Sequence, residues 1–164
     1  SPRSVPGQKH GLQLTNSYEH DEFGFATEEI KPTVNQVEKR TRKMDGLIKE
    51  IPQPYLVGPK KAATTFVCWG STINVVSQLI QTQSIEKKQA VNAIHLPVMW
   101  PFPKKEFTKL AKKAKKLVMI EGNQSGQGER LIKQETEISF ADRIHRYDGR
   151  PFYVEDLQNW LKEK

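Results

Sequence analysis

The sequence predicts an α/β protein, a three-layer α/β/α sandwich with a mainly parallel sheet, preceded by an irregular arm and a long amphipathic helix. Three observations lead there. Thr64 to Val76 joins an apolar run without polar alternation, Phe66 to Trp69, to a Gly70-Ser71-Thr72 turn and a helical pattern. Such a run suits a strand buried on both faces, and Ser71 suits a helix N-cap. Two further apolar runs, Val91 to Leu96 and Leu117 to Ile120, each lead through a loop to another helical pattern. Repeated strand-helix units with crossovers of this length give parallel strands, right-handed connections and helices on both faces.

Taken in order, Ser1 to Pro32 shows no helical or strand period and carries Pro2, Pro6 and Gly7 at its start, so it reads as an irregular arm. Its cluster Glu19, His20, Asp21 and Glu22 has metal-ligand chemistry. Adjacent residues point in different directions, which favours a hydrogen-bonded loop over a metal site. From Thr33 to Ile51, Val34, Val37, Thr41, Met44, Ile48 and Ile51 step by three and four, a long amphipathic helix that Pro52 and Pro54 end. Gln53 to Ala63, with Gly58-Pro59, reads as a linker, which divides the chain into 1–59 and 60–164.

The helix after Ser71 buries Ile73, Val76, Leu79 and Ile80, and a polar stretch from Gln81 to Gln89 leads to the strand Val91 to Leu96. His95 in that strand reads as a satisfied core residue before it reads as a general base. Prolines fix the loop Pro97 to Pro103 and are expected to expose Trp100 and Phe102. The strand Leu117 to Ile120 runs into Glu121-Gly122-Asn123-Gln124-Ser125-Gly126-Gln127-Gly128 and a helix bearing Leu131 and Ile132. A fourth strand around Arg143 to Tyr147, the turn Asp148 to Pro151 and a helix with Val154, Leu157, Trp160 and Leu161 on one face complete the chain.

Strand carboxyl ends form the active edge of such sheets. Here that edge holds Gly70 to Thr72, Pro97 to Phe102 and Glu121 to Gln127. Gly70, Ser71, Thr72, Asn123, Ser125, Gly126 and Gln127 are the candidate anion loops, because small residues before a helix N-terminus can cradle an anion with backbone N–H groups. The loop after Glu121 lacks the spacing of a dinucleotide fingerprint or a lysine-bearing phosphate loop, and a plain capped turn is favoured there over a phosphate site.

Composition narrows the function classes. No apolar run approaches the length of a membrane span and residues 1–10 lack a signal-peptide core, so a soluble, cytoplasmic chain without a membrane partner is expected. Cys68 is the only cysteine, which leaves no internal disulfide and no cysteine-rich metal or cluster site. The net charge of +7 allows nucleic acid. However, the lysines between Lys104 and Lys116 flank the apolar stripe Phe107, Leu110, Ala111 and Ala114 without interleaved exposed aromatics, as on a solvated helix face. Nucleic acid is disfavoured.

Six motifs in order then carry a resemblance: Glu19-His20-Asp21-Glu22-Phe23-Gly24, Glu38-Lys39-Arg40, Trp69-Gly70-Ser71-Thr72, His95 to Pro103, Gly126-Gln127 after Glu121, and Tyr147-Asp148-Gly149-Arg150-Pro151-Phe152. The chain resembles the C-terminal part of the alpha subunit of 2-oxoacid:ferredoxin oxidoreductases, the 2-oxoglutarate or pyruvate synthase group. The resemblance implies a transketolase C-terminal-like fold for Lys60 to Lys164. It also implies an enzyme that decarboxylates a 2-oxoacid with thiamine diphosphate, captures the acyl group on coenzyme A and passes electrons through iron-sulfur clusters to ferredoxin. In that family the thiamine and a cluster sit largely in a beta subunit, and the pyrimidine-binding domain precedes this region. The chain is therefore expected to be a fragment that is inactive alone, binds none of those cofactors by itself, and builds a subunit interface with Phe23, Trp100, Phe102 and Arg150 as contacts. An anion- or nucleotide-binding regulatory module is the alternative. Tyr153-Val154 stands where the family commonly has a small capping residue, which predicts a weaker cap on the last helix.

Overall fold

The structure is a computed structural model that describes residues 4–11, 18–21, 23–86 and 89–164. Glu22, the arm residues 1–3 and 12–17, and residues 87 and 88 of the polar connection lie outside the described residues. The chain forms two compact units, Ser1–Lys49 and Glu50–Lys164.

The first unit is more regular than its sequence suggests. Two short strands, β1 (Glu19–His20) and β2 (Ala26–Thr27), pair antiparallel in a hairpin where an irregular arm was expected. Asp21 makes the turn: its Oδ1 accepts from the N–H groups of Phe23 and Phe25, both at 2.9 Å, and its carbonyl accepts from Gly24. A short polar side chain that satisfies successive N–H groups replaces ladder bonds, which is why two residues per strand suffice. The long helix α1 spans Ile30–Glu50 and so begins before the predicted Thr33. Pro32 falls in its first turn, where a backbone N–H has no partner inside the helix and its loss is harmless. Arg40 forms a two-pronged ion pair with Glu19, and Gln36 Nε2 donates to His20 O at 3.2 Å, which ties the hairpin to the helix.

The second unit is built on a five-stranded sheet. Strand β4 (Thr64–Trp69) lies at its centre between β5 (Val91–Leu96) and β6 (Leu117–Glu121), and β7 (Asp142–His145) follows β6, all parallel. Tyr55–Val57 adds a further strand, β3, antiparallel on the outer edge of β5. This corrects the reading of Gln53 to Ala63 as a plain linker. Because β3 belongs to the sheet, the unit that holds it begins at Glu50. Tyr55-Leu56-Val57 between Pro54 and Gly58-Pro59 has the aromatic and branched content of a short edge strand, but three residues are too few to show a period.

Alternation along the strands sends side chains into two cores. Phe66, Cys68, Ala93, Val118 and Ile120 meet Val76, Leu79 and Ile80 of α2 (Thr72–Ile85) and Leu157 of α5 (Val154–Lys162). Val67, Ile94, Leu96 and Met119 meet Phe107 and Ala111 of α3 (Lys104–Ala111) and Ile132 of α4 (Gln127–Thr136) on the other face. The three-layer α/β/α sandwich with a mainly parallel sheet is thus observed. Phe102 belongs to this second core, 9% exposed and edge-on to Phe107 with ring centroids 5.5 Å apart. Its expected exposure is corrected, whereas Trp100 two residues earlier is 61% exposed.

Candidate functional site

The chain moves from β4 to β5 on one side and then crosses to β6 on the other, so the order of the sheet reverses between β4 and β6. A crevice opens at such a reversal outside the strand carboxyl ends. Here the two strands end in Trp69 and Glu121.

Glu121 is 1% exposed, and a buried carboxylate is tolerated only with a full set of donors. It has them. Oε2 accepts from Gly128 N at 2.7 Å and from Asn123 Nδ2 at 2.8 Å, and Oε1 accepts from Glu129 N at 2.9 Å. Asn123 turns its other end toward the helix, where Oδ1 accepts from Gln127 N at 3.1 Å. The first three N–H groups of α4 therefore all reach protein oxygens, and the positive end of the helix dipole rests on a carboxylate of the chain itself. Of the candidate anion residues in this loop, the Gln127 N–H and the Asn123 side chain are engaged internally. Gly126 holds the turn with a left-handed backbone, φ +64°.

Gly128 completes the closure. A Cβ there would stand 3.0 Å from Glu121 Oε2 and 3.1 Å from both Met119 Cε and Trp69 Nε1, so any other residue would make these side chains give way by a few tenths of an ångström. The His145 ring lies over Gly126, and Arg143 Nη2 donates to Glu129 Oε1 at 3.0 Å, which joins β7 to the helix.

The other loop differs. Gly70 is also left-handed, φ +58°, but a Cβ on it would meet nothing within 4 Å. Ser71 has helical angles and makes no side-chain bond to α2, a correction to its reading as an N-cap. Its carbonyl accepts from Asn74 N at 3.1 Å, a tight first turn in place of the cap. His95 buttresses this turn: its Nε2 lies 3.3 Å from Gly70 O and, since a carbonyl only accepts, carries the proton. The ring packs edge-on against Tyr55 at 5.2 Å. Burial lowers the His95 pKa, and the bond to Gly70 opposes that in part. His95 is thus a buried strand residue that fixes a turn, but its Nδ1 is buried without a hydrogen-bond partner, so the expected satisfied core histidine is only half satisfied.

Cys68 is buried, and desolvation pushes its thiol up to about 12, so it is a core filler rather than a nucleophile. The motif at residues 147–152 is organised by Arg146. That guanidinium pairs with Asp148 at 3.1 Å and with Asp156, and stacks over Tyr153. Asp148 in turn accepts from Arg150 N at 3.0 Å, and these partners hold its pKa below the usual range. Arg150 itself points its side chain mostly into solvent. Asp156 accepts from Tyr153 N at 2.8 Å and so supplies the cap of α5 that residue 153 was expected to weaken. In the first unit Phe23 is 77% exposed at the hairpin tip. Glu19 there is held by Arg40 and Asp21 by the turn, so two members of the acidic cluster have structural partners. Among the described residues no group of three or more His, Cys, Asp or Glu stands close enough to hold a metal ion.

The reading of the sequence missed what Glu121, Gly128 and Arg146 do. An acidic residue closing an apolar strand was the available signal for the first, because such a charge must find donors nearby.

These features define an α/β domain built on a mainly parallel five-stranded sheet. Residues 62–157 match the family described as "Pyruvate:ferredoxin oxidoreductase core domain II", and the chain belongs to it. It is 28% identical over 164 residues to 2-oxoacid:ferredoxin oxidoreductase 1, subunit alpha, of Sulfurisphaera tokodaii, which covers 98% of this chain and 25% of that protein. It is 29% identical to 2-oxoacid:ferredoxin oxidoreductase 2, subunit alpha, of Aeropyrum pernix, over 99% of this chain and 25% of that one. The solved 2-oxoglutarate:ferredoxin oxidoreductase of Magnetococcus marinus, with 2-oxoglutarate, coenzyme A and succinyl-CoA bound, superposes with a TM-score of 0.73 at 27% identity, over 99% of this chain and 28% of that chain. The chain spans about a quarter of the length of these relatives.

Proposed function

We propose that this chain is a non-catalytic assembly domain of the alpha subunit of a thiamine-diphosphate-dependent 2-oxoacid:ferredoxin oxidoreductase. The observation that carries the reading is the family match over residues 62–157, on a sheet whose β6–α4 edge is closed by Glu121. In the full complex, decarboxylation of a 2-oxoacid, acyl transfer to coenzyme A and electron transfer to ferredoxin belong to other domains and to a beta subunit, in the cytoplasm.

The residues present do not fit an iron-sulfur cluster, and the start of α4 does not fit a diphosphate. An iron-sulfur cluster needs several thiolates, and the chain has one cysteine, buried in a strand. A diphosphate needs free N–H donors, and those of α4 already face Glu121 and Asn123, which leaves the uncapped start of α2 as the open one of the two turns. The chain's contribution is shape: Phe23, Trp100 and Arg150 are exposed anchors for the beta subunit, and large aromatic and arginine side chains are the types that dominate interface energetics.

The test is a pull-down and sizing run of the chain with a thiamine-binding beta subunit from the same genome, beside the full-length alpha subunit. The reading expects the chain alone to co-elute with beta, and Trp100→Ala to weaken the complex. Binding by full-length alpha only would place the contact in another domain and overturn it.

A further inference from the structure

The lysines between Lys104 and Lys116 read in the sequence as the solvated face of one helix, but α3 ends at Ala111. Lys112, Lys113, Lys115 and Lys116 therefore crowd into the turn that follows. Its backbone is ordered: Lys112 N donates to Thr108 O at 3.0 Å, and Lys113 N to Leu110 O and Ala114 N to Ala111 O, both at 3.1 Å. The turn is also pinned to the sheet, because Lys116 O accepts from Thr65 N at 2.8 Å at the amino end of β4. Lys60 and Lys61 run into that same strand end just before Thr64.

This charge is concentrated and unmatched. Residues 104–116 carry seven lysines against Glu106, which accounts for +6 of the chain's net +7. Lys109 pairs with Glu106 at 3.3 Å, Lys164 takes Asp142 at 2.8 Å, and Lys116 lies over the Trp160 ring at 5.0 Å. Among the described residues, Lys60, Lys61, Lys112, Lys113 and Lys115 are exposed and have no carboxylate partner. The carboxyl end of a helix dipole carries about half a negative charge, which one lysine offsets, so three more beyond the last turn of α3 serve something else. We propose that this amino edge of the sheet docks an acidic peptide segment of a separate protein. A surface of one sign attracts a partner of the other and speeds its encounter. The five free cations include no arginine, whose fork grips phosphate, and exposed Trp69, Trp100 and Tyr147 stand at the opposite, carboxyl edge, where they offer bases at the lysines nothing to stack on. Carboxylates need neither device.

This surface is separate from the anchors assigned to the beta subunit, and its test reads a different quantity. Fluorescence anisotropy of the 164-residue chain with a labelled oligoglutamate peptide should show saturable binding at low salt that weakens steeply as salt rises. The variant Lys112→Glu/Lys113→Glu/Lys115→Glu should weaken it about 10-fold or more. Lys31→Glu/Lys39→Glu/Lys43→Glu on α1 changes the net charge equally and should stay within about 2-fold of the unaltered chain. Circular dichroism checks that both variants remain folded. In the full-length subunit, an amine-acetylating ester should modify Lys112, Lys113 and Lys115, and oligoglutamate should slow that reaction. No saturable binding, equal loss in the two variants, tighter binding of duplex DNA than of the peptide at the same salt, or lysines shielded in the free full-length subunit would each overturn the proposal.

Discussion

The two glycine turns at the carboxyl edge have nearly the same backbone, with φ +58° at Gly70 and +64° at Gly126, yet one is open and the other closed. The difference comes from the last residue of the preceding strand. Strand β6 ends in Glu121, whose side chain folds under the start of α4 and meets Gly128 and Glu129 N–H. Strand β4 ends in Trp69, which has no acceptor to offer, and Ser71 does not stand in for one. A glycine turn before a helix is therefore a neutral frame. Whether it can take an outside anion depends on whether the chain has supplied one.

The largest break in this contrast is Glu121→Ala. It leaves two backbone N–H groups and the Asn123 amide without their acceptor in a buried setting, and should lower stability by about 3 kcal/mol or more in urea unfolding. Next comes Gly128→Ala, whose methyl must displace Glu121, Met119 or Trp69, at roughly 1–3 kcal/mol. Gly126→Ala should cost about 1–2 kcal/mol from its left-handed backbone, with the His145 ring 3.3 Å from the new Cβ adding to it. Gly70→Ala, open on all sides, should sit near about 1 kcal/mol. Ser71→Ala removes no cap and should stay within about 0.5 kcal/mol. If Ser71→Ala proved as costly as Glu121→Ala, the two turns would not differ as described.

His95 sharpens the comparison through pH. Its folded pKa lies below the ordinary 6.5, so the folded state holds the proton less well than the unfolded chain. Stability from this site is fully present above about 6.5 and falls as pH drops from there through the folded pKa. His95→Gln should flatten unfolding midpoints in that window. The carboxylates with lowered pKa, Asp142 and Asp148, act in a separate and more acidic range.

How much of this was legible in the sequence follows from the length of each signal. The strands β4, β5 and β6 are uninterrupted apolar runs, and their place in a parallel sandwich could be read directly. The hairpin and β3 could not, because strands of two or three residues show no period and owe their existence to Asp21 in one case and to the edge of β5 in the other. Phe102 and Trp100 stand two residues apart in a proline-rich loop, where nothing in the sequence says which faces the core. The glycine loops were visible, but not that Glu121 fills one of them, since its partners at residues 128 and 129 come near only after α4 has turned back over the strand end.

The most direct measurement is thermal unfolding of the chain and of Glu121→Ala, each in sodium acetate against sodium chloride at equal ionic strength. If Glu121 is the resident anion of α4, Glu121→Ala melts lower than the unaltered chain and gains more from acetate than the unaltered chain does. A Glu121→Ala variant as stable as the parent, or one that gains no more from acetate than the parent does, would contradict the account.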